Sequence, residues 1–302
     1  DHQVTPPTIL SFSPASGPVG TSVILSGRHF HACLADNIVY FGAVQATVTA
    51  GSTTSLTVTV PAGATYQPIT VLNSETGLSA SSIQPFMVTF ACGTSVFSTA
   101  SFDPKADATT GSGPGSVSIG DLDGDGKPDL ALANADANTV SILRNTSNNV
   151  AIAVASKVDF VTGNKPVCVA IGDLDGDGMP DLAVANENAG TVSVYRNTSG
   201  NGLLTFDPKV DVTTGVHPKS VAISDLDGDG KPDMAVANAG SATVSVFKNT
   251  GNPGLVSFAA KVDFGTESSP GNVAIGDLDG NSRPDLVVVN QVSATISIFK
   301  NI

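Results

Sequence analysis

Short segments in which apolar and polar residues alternate run along the whole chain, and turn residues separate them. Alternation with a period of two places every second side chain on one face of a β-strand, so each segment predicts a strand. No stretch has the spacing of an amphipathic helix, and the chain is therefore predicted to be all-β. In residues 7–90 the predicted strands include Ser22–Leu25, Ile38–Phe41, Leu56–Val60 and Ile69–Leu72.

The length and the turns of this first region fit an immunoglobulin-like β-sandwich. Its sequence also resembles the IPT/TIG domain family, in both the order and the spacing of its motifs. The motifs that carry the resemblance are, in order, Pro14-Ala15-Ser16-Gly17-Pro18-Val19-Gly20-Thr21, Ser26-Gly27-Arg28-His29-Phe30, Val39-Tyr40-Phe41-Gly42 and Val60-Pro61-Ala62-Gly63-Ala64. We assign residues 1–90 to this domain and residues 91–101 to a linker.

The rest of the chain repeats itself with a period of 52 residues. The decapeptide Asp-Leu-Asp-Gly-Asp-Gly-Lys-Pro-Asp-Leu begins at Asp121, and close copies begin at Asp173, Asp225 and Asp277. Each unit holds four strand-like segments, which in the second unit are Lys157–Thr162, Val167–Gly172, Leu182–Asn186 and Thr191–Arg196. A unit of this size is typical of a propeller blade, which must stack on neighbours to bury both faces of its sheet. We predict a β-propeller of four four-stranded blades over residues 102–302.

The two ends of the predicted propeller complement each other. Phe102–Thr110 is a spare strand with no preceding blade, while the last unit contains three of the four segments. Pairing the spare strand with the last blade would close a ring and leave no open sheet edge. The same pairing between two molecules would give dimers or an open fibre. We expect the closed ring, because an intramolecular partner has a high effective concentration.

Composition and charge exclude several classes of partner. The formal net charge of −13 argues against nucleic acid, since phosphate binding needs clustered Lys and Arg. No apolar run approaches the roughly 20 residues that span a bilayer, so membrane insertion is not expected. Three cysteines are too few for a disulfide framework; the one bridge that the sequence favours joins Cys33 and Cys92, leaving Cys168 single.

The first Asp-rich loop has the chemistry of a calcium site. Its carboxylates occupy positions 1, 3, 5 and 9 (Asp121, Asp123, Asp125 and Asp129), and the carbonyl of Lys127 stands at position 7. Calcium takes six to eight hard oxygens, and the odd positions of a tightly coiled loop turn their oxygens inward. An EF-hand would need a Glu at position 12 and flanking helices, whereas this loop has Leu132 there and strand-like flanks. The sequence therefore predicts a calcium loop in a β-hairpin.

This loop within a blade-sized repeat resembles the FG-GAP/VCBS family, which is the repeat of integrin α-subunit propellers and of many bacterial secreted proteins. The resemblance covers roughly residues 102–302. It implies that all four loops bind Ca²⁺ through equivalent positions. In the second and third loops these are Asp173, Asp175, Asp177, Asp181 and the Met179 carbonyl, and Asp225, Asp227, Asp229, Asp233 and the Lys231 carbonyl.

The fourth loop departs from the pattern. Its equivalent ligands are Asp277, Asp279, Asn281, Asp285 and the Arg283 carbonyl, so it has one negative charge fewer than the others. Ser282 also replaces the glycine at position 6. We predict that this site is the weakest of the four.

Other residue patterns give weaker signals. The alternation of His29, His31 and Cys33 suits a soft-metal site, but an ordinary strand end and loop is the favoured interpretation. The recurring Lys-x-Asp pairs, such as Lys157 and Asp159, predict cross-strand salt bridges. The sequons that begin at Asn145 and Asn197 fall at the same place in successive units, where each Asn is expected to serve a turn.

These features favour a secreted or cell-surface, calcium-stabilised module for adhesion, matrix or surface assembly, with an extracellular protein or glycan as ligand. Cytosolic calcium would be too low to fill such sites. The alternative is a carbohydrate-binding propeller, which the absence of Trp and the low aromatic content of 5% disfavour. A third hypothesis is the non-catalytic part of a larger secreted enzyme. The chain itself is not expected to be an enzyme, because no acid, base and nucleophile set can be named.

Overall fold

The computed structural model describes residues 5–42, 44–90, 101–148, 151–200 and 202–302. Its first domain is built from nine strands and one short 3₁₀ turn at Leu34–Asp36. The strands are β1 (Thr8–Ser13), β2 (Ser16–Gly17), β3 (Ser22–Arg28), β4 (Asn37–Phe41), β5 (Val44–Ser52), β6 (Ser55–Thr59), β7 (Pro68–Asn73), β8 (Leu78–Pro85) and β9 (Met87–Val88). The four segments predicted here from alternation all lie in or overlap these strands.

The first domain is a two-layered sandwich in which β5 belongs to both layers. The strand order is β1-β3-β6-β5-β4-β7-β8, and β5 pairs with β6 on one side and with β4 on the other. Alternate side chains from both layers meet in one core, where the rings of Phe41 and Phe86 pack edge to face with centroids 5.2 Å apart. The immunoglobulin-like prediction is confirmed.

The repeat region consists of four antiparallel sheets. Blade 1 contains β10 (Pro114–Gly120), β11 (Asp129–Asn134), β12 (Thr139–Leu143) and β13 (Val158–Val161). Blade 2 contains β14 (Pro166–Gly172), β15 (Asp181–Asn186), β16 (Thr191–Tyr195) and β17 (Val210–Thr213). Blade 3 contains β18 (Pro218–Ser224), β19 (Asp233–Asn238), β20 (Thr243–Phe247) and β21 (Val262–Gly265). Blade 4 contains β22 (Pro270–Gly276), β23 (Asp285–Asn290) and β24 (Thr295–Phe299).

The sheets of the blades carry apolar side chains on both faces. Blades 2 and 3 bury both faces, because each has a neighbouring blade on either side. We call the face toward the preceding repeat the front face and the opposite one the back face. In β15, Leu182 and Val184 point forward into the core shared with blade 1, while Ala183 and Ala185 point back into the core shared with blade 3. Small alanines on the back face let the next blade approach closely. This stacking is what the 52-residue repeat predicts for a propeller.

The predicted ring closure is not present. The sheet of blade 4 has three strands, and Phe102–Thr110 forms no strand in the structure. The physical reason lies in its composition: Ala106 and Ala108 stand where the next repeat has Val158 and Phe160. Alanine has a low strand propensity and buries little apolar surface, so this segment gains less from pairing than its counterparts do.

The first domain lies against the Asp-rich loops of blades 1, 2 and 3. The Tyr40 hydroxyl donates to the Gly178 carbonyl, and the Ser79 amide donates to the Gly230 carbonyl at 2.6 Å. A side chain at Gly178 would collide with Ile38, since an added Cβ would lie 2.7 Å from its Cδ1. The two parts of the chain therefore meet at the candidate metal loops.

Two sequence-based expectations fall outside this description. Cys92 and almost all of the predicted linker at 91–101 lie outside the described residues, while Cys33 is exposed and unbridged. Among the residues described, no helix has the length and apolar character needed to cross a bilayer.

Candidate metal centre

The first Asp-rich loop coils around the carboxylate of its first residue. Asp121 Oδ1 accepts a hydrogen bond from the Gly124 amide, and Asp121 Oδ2 accepts one from the Gly126 amide, both at 2.9 Å. The two glycines have φ values of 72° and 85°, a left-handed conformation that costs glycine little. The sequence Asp-x-Asp-Gly-Asp-Gly thus fixes the coil by local interactions alone.

The last aspartate of the loop is fixed from two sides. Asp129 opens β11, its Oδ2 accepts from the Leu122 amide at 2.9 Å, and its Oδ1 accepts from the Asn145 amide at 2.7 Å. Asn145 also donates its side-chain amide to the Pro128 carbonyl at 2.8 Å. Equivalent asparagines do the same in the other blades; they are Asn197, Asn249 and Asn301. Sequence reasoning missed this role, although the 52-residue recurrence of these asparagines signals it.

Three carboxylates converge in every loop, with candidate ligand atoms within 4.8 Å of one another. The triads are Asp121, Asp123 and Asp129; Asp173, Asp175 and Asp181; Asp225, Asp227 and Asp229; and Asp277, Asp279 and Asp285. Asp125, Asp177 and Asp233 are not members of these triads. The ligand roles predicted for the triad members stay predictions, as do those of Asp125, Asp177, Asp233, Asn281 and the position-7 carbonyls of Lys127, Met179, Lys231 and Arg283.

The first loop contains a buried carboxylate oxygen that has no hydrogen-bond partner. The Asp123 side chain is fully buried, and its Oδ2 has no hydrogen-bond partner; the nearest cation, Arg144, is 3.7 Å away. Burying a carboxylate oxygen without a hydrogen bond is costly, and buried charges are normally closely paired or bind a metal. The hard oxygen donors of this loop are of the kind that Ca²⁺ prefers.

Burial raises the pKa values of several carboxylates in the first three loops. Burial, with the neighbouring Asp123 and Asp121 charges, raises the pKa of Asp129 to about 6 against the lowering effect of its two backbone hydrogen bonds. Burial likewise raises the pKa of Asp173 to about 7, with a contribution from Asp175 and Asp177. A bound divalent cation would favour the charged forms and remove this electrostatic conflict.

A basic side chain from each blade reaches into its own loop. Arg196 contacts Asp175 through Nε, Asp177 through Nη2 at 2.8 Å and Asp207 through Nη1 at 3.2 Å. Its counterparts, 52 residues apart, are Arg144, Lys248 and Lys300. Sequence reasoning missed them too. Each lies next to the asparagine described above, so the same recurrence identifies both.

The fourth loop differs in its surroundings as well as in its sequence. Asp279 and Asn281 are exposed, and Ser282 has a φ of 66° where the other loops have glycine. The contacts of the first domain with Gly178 and Gly230 belong to loops 2 and 3, and its Gly63 lies against Pro128 of loop 1.

The recurring Lys-x-Asp pairs are not cross-strand bridges. Lys157 immediately precedes strand β13, which contains Asp159, and the two side chains are in contact. The cross-strand partner of Asp159 is Ser141, whose hydroxyl donates to Asp159 Oδ1 at 2.6 Å. Strand geometry explains the difference, since residues two apart share a face. The same arrangement joins Ser193 to Asp211 and Ser245 to Asp263.

The histidine and sequon positions serve local structure. His31 lies between the carboxylates of Asp36 at 3.2 Å and Glu75 at 2.8 Å, while His29 turns away toward the Pro6 carbonyl. The Cys33 sulfur is close to His31 and Asp36, but it lies on the exposed surface. Asn197 is fully buried, and its side-chain amide donates to two carbonyls, those of Leu122 and Pro180.

Comparison with solved structures gives matches of low similarity. A BBS1N–ARL6DN complex is 18% identical over 66% of this chain and 59% of that chain, with a TM-score of 0.42. An auxiliary nutrient binding protein from Bacteroides ovatus is 13% identical over 98% and 84%, with a TM-score of 0.33. Rhamnogalacturonan lyase PL11 from Bacillus licheniformis is 13% identical over 95% and 60%, with a TM-score of 0.41. Similarity at this level carries no inference about activity.

Family models match both parts of the chain, whereas no curated protein sequence does. The FG-GAP-like repeat model matches residues 121–184, 173–236 and 225–288, which together span more than half of the chain. The IPT/TIG domain model matches residues 7–94. The chain therefore belongs to the FG-GAP-like repeat family, with an IPT/TIG domain before the repeats.

Proposed function

We propose that this protein is a non-catalytic, calcium-stabilised module that works outside the cell in adhesion, matrix or surface assembly. The observation that carries the proposal is the buried Asp123 carboxylate oxygen, which has no hydrogen-bond partner and lies beside two further carboxylates. A turn that only connected two strands would not need this charge. A Ca²⁺ ion held by Asp121, Asp123 and Asp129 would neutralise it.

Calcium would contribute both charge neutralisation and stability. The four loops contain 15 of the 27 acidic residues, so four bound ions (4 × 2 charges) would change the formal net charge from −13 to −5. For a site with a dissociation constant of about 10 μM at about 1 mM calcium, the stabilisation would be about 2.7 kcal/mol. Four such sites would rival the stability of a typical domain.

This dependence favours an extracellular location. Millimolar calcium outside cells would keep the loops filled, and a chain that needs those ions for its stability would be poorly supported in the cytosol. FG-GAP-like repeats and IPT/TIG domains are both common in extracellular proteins, which agrees with this proposal.

A binding role suits the molecule better than catalysis. The clustered carboxylates of the repeats are committed to the metal loops, and among the described residues the remaining acids mostly pair with Lys, Arg or His. Rigid blades would present exposed loops to an extracellular protein or glycan. Self-association of the chain would multiply such contacts along a surface or a matrix.

The test compares wild type with Asp123→Asn in calcium and in EDTA. Wild type should melt at a distinctly higher temperature in calcium. The variant keeps the Oδ1 acceptor that holds the Asp125 amide at 3.1 Å, but it removes the buried charge. In calcium, the free energy of unfolding of the variant should therefore be about 2.7 kcal/mol lower than that of wild type, which is the contribution of one site. In EDTA, the variant should be as stable as wild type.

Two results would contradict the proposal. One is a wild-type melting temperature that is the same in calcium and in EDTA. The other is a variant that is equally destabilised under both conditions, as a purely structural aspartate would predict. Asp136→Asn, outside the metal loops, is the matched control, and its effect should not depend on calcium.

A further inference from the structure

A single asparagine side chain holds the metal loops of two neighbouring blades. The Asn197 amide group donates one hydrogen bond to the Pro180 carbonyl of loop 2, in its own blade, at 2.8 Å. It donates a second one to the Leu122 carbonyl of loop 1 at 2.9 Å. Both N–H groups of the side chain are thus used, one for each loop. Because Asn197 and Leu122 are fully buried, a lost bond here would leave a buried polar group without a partner.

This asparagine lies in an unbroken series of hydrogen bonds between two candidate calcium ligands. Asp129 Oδ2 of loop 1 accepts from the Leu122 amide at 2.9 Å, and the carbonyl of Leu122 accepts from Asn197. The Asn197 backbone amide then donates to Asp181 Oδ1 of loop 2 at 2.7 Å. Asp129 and Asp181 each belong to the carboxylate triad of their loop. The two triads are therefore joined through Leu122 and Asn197 alone.

The series continues into blades 3 and 4. Asp181 Oδ2 accepts from the Leu174 amide at 2.8 Å, and the Leu174 carbonyl accepts from the Asn249 side chain at 2.7 Å. The links that follow are the Asn249 amide to Asp233 Oδ1, the Leu226 amide to Asp233 Oδ2, the Asn301 side chain to the Leu226 carbonyl, and the Asn301 amide to Asp285 Oδ1. One series of hydrogen bonds thus joins the last aspartates of all four loops.

Asn145 makes the contacts with its own loop but not the bridge. Its side chain donates to Pro128 at 2.8 Å and its backbone amide donates to Asp129 at 2.7 Å, as the same atoms of Asn197 do in loop 2. In the part of the chain that the structure describes, its side chain donates to no second metal loop. The bond to a neighbouring loop is therefore what distinguishes Asn197 from Asn145.

We propose that Asn197, Asn249 and Asn301 couple the calcium sites of neighbouring blades, so that binding at one loop raises the affinity of the next. When loop 1 holds its ion, the coil that carries the Leu122 carbonyl is fixed, and this carbonyl then fixes Asn197. Because Asn197 also holds Asp181, loop 2 has less freedom to lose when its own site is filled. The inference rests on the proposed calcium role, since it concerns how those sites act on one another.

Coupling of this kind is reciprocal. Each site should raise the affinity of its neighbour by the same factor in both directions, and such factors are typically about 5- to 150-fold. We expect the lower end, about fivefold, because a single asparagine joins each pair of loops. The four sites would then fill over a narrow range of calcium concentration, and the blades would become rigid together.

The first measurement disables one loop and measures calcium binding at its neighbour. Asp175→Asn removes a charge from loop 2, keeps the Oδ1 acceptor that holds the Asp177 amide at 3.1 Å, and leaves Asn197 in place. Binding at loop 1 is followed by NMR through the Gly126 amide, which donates to Asp121. The loop 1 affinity should be about fivefold lower in Asp175→Asn than in wild type. The reciprocal variant, with loop 1 disabled by Asp123→Asn, should lower the loop 2 affinity by the same factor.

Asn197→Ala tests whether this asparagine carries the coupling. In a protein with this substitution, Asp175→Asn should no longer change the loop 1 affinity, because Leu122 has lost its partner in blade 2. Asn145→Ala is the matched control, since it removes the equivalent bond to its own loop but no bridge. In a protein with Asn145→Ala, the effect of Asp175→Asn on loop 1 should persist.

The coupling is overturned if Asp175→Asn leaves the loop 1 affinity unchanged, or if its effect persists in Asn197→Ala or disappears in Asn145→Ala. The first of these results needs only Asp175→Asn, so it is decisive even if Asn197→Ala does not fold. If wild type binds calcium and gains thermal stability while its sites fill independently, this inference alone fails and calcium stabilisation stands. If the loops bind no calcium, the proposed function fails with it.

Discussion

At the residue scale, the metal loops contain a cation of their own. Arg196 lies between Asp175 and Asp177, both predicted ligands of the second calcium ion, and Arg144 lies near the buried Asp123 of the first loop. A guanidinium at this position stabilises the carboxylates when no metal is bound. It also opposes a divalent cation by charge repulsion. We therefore expect the basic residue to lower the calcium affinity of the loop in its own blade.

Replacing Arg196 with Gln should raise the calcium affinity of loop 2 about tenfold, or about 1.4 kcal/mol, because a competing charge is removed. The change can be followed by NMR through the Gly178 amide, which donates to Asp173 at 3.0 Å. Arg144→Gln is the control. It should have a smaller effect on loop 1, because Arg144 is 3.7 Å from Asp123. An unchanged or weaker loop 2 affinity would exclude the competition.

A second residue-scale feature is the Ser–Lys–Asp network on the outer strands. Hydrogen bonds from Lys157, and then from Ser141, lower the pKa of Asp159 below its usual value near 3.8. A carboxyl group with a lower pKa in the folded state stabilises the fold above its unfolded pKa and loses this effect as pH falls through the folded pKa. The contribution is therefore present at neutral pH and disappears below about pH 4.

Asp159→Asn should lower the free energy of unfolding by about 1 kcal/mol at pH 7. The effect is small because the side chain of Asp159 is partly exposed and solvent screens its ion pair with Lys157. The difference in melting temperature from wild type, measured in EDTA, should shrink as pH is lowered from 5 to about 3. Asp107→Asn is a matched control, because Asp107 pairs with Lys105 on an exposed segment. At low protein concentration, Asp107→Asn should have the same melting temperature as wild type. A difference for Asp159→Asn that does not vary with pH would contradict this account.

At the element scale, the fourth candidate metal loop departs from the other three at its fifth residue, Asn281, and at its sixth, Ser282. Gly126, Gly178 and Gly230 have φ values of 85°, 90° and 86°, and Ser282 has a φ of 66°. A left-handed conformation costs a residue with a Cβ roughly 1–2 kcal/mol. The fourth loop therefore has both a missing charge and a strained backbone, which supports the prediction that it is the weakest site.

Ser282→Gly should stabilise the protein by about 0.5–1 kcal/mol, since relief of strain exceeds the added freedom of the unfolded chain. It should also tighten calcium binding at loop 4. The control is Ser224→Gly, at the end of strand β18, where the backbone has no positive φ and glycine should destabilise. Thermal melting with and without calcium measures both effects. A lower melting temperature for Ser282→Gly would count against strain in this loop.

At the scale of the whole molecule, the first domain and the metal loops form one contact region. The buried Tyr40 hydroxyl binds the Gly178 carbonyl, and Ser79 binds the Gly230 carbonyl through both its amide and its hydroxyl. These carbonyls belong to loops that repeat the same coil around their first aspartate. Calcium that orders the loops should therefore also hold the domain in place.

Removing calcium should speed amide hydrogen exchange at Ser79 by at least tenfold, because the loop that supplies its acceptor loosens. The Gly20 amide is the internal control, since it donates to Val60 at 2.9 Å within the first domain. Its exchange should change little. Equal protection of Ser79 in calcium and in EDTA would show that docking of the domain is independent of the metal.

Local physics explains how much the sequence determined. Alternation fixed the strands, and the Asp and Gly spacing fixed the four loops, because strand faces and a nine-residue coil depend on near neighbours. The 52-residue period fixed the blades, since a repeated unit must bury both faces against its copies. Loop positions such as Asp121 and Asp129 therefore follow from the residue spacing alone.

Tertiary structure alone decided what depends on distant parts of the chain. Residues 106–109 do not pair with the last blade in the structure. Whether they do depends on the difference in free energy between packing them against that blade and leaving them in solvent. No local sequence pattern gives that difference. The docking of Tyr40 on Gly178 joins residues that are far apart in the sequence. The contact of Arg196 with Asp175 joins the end of β16 to the loop between β14 and β15. Such contacts follow from how the sheets stack, and only the folded chain defines that.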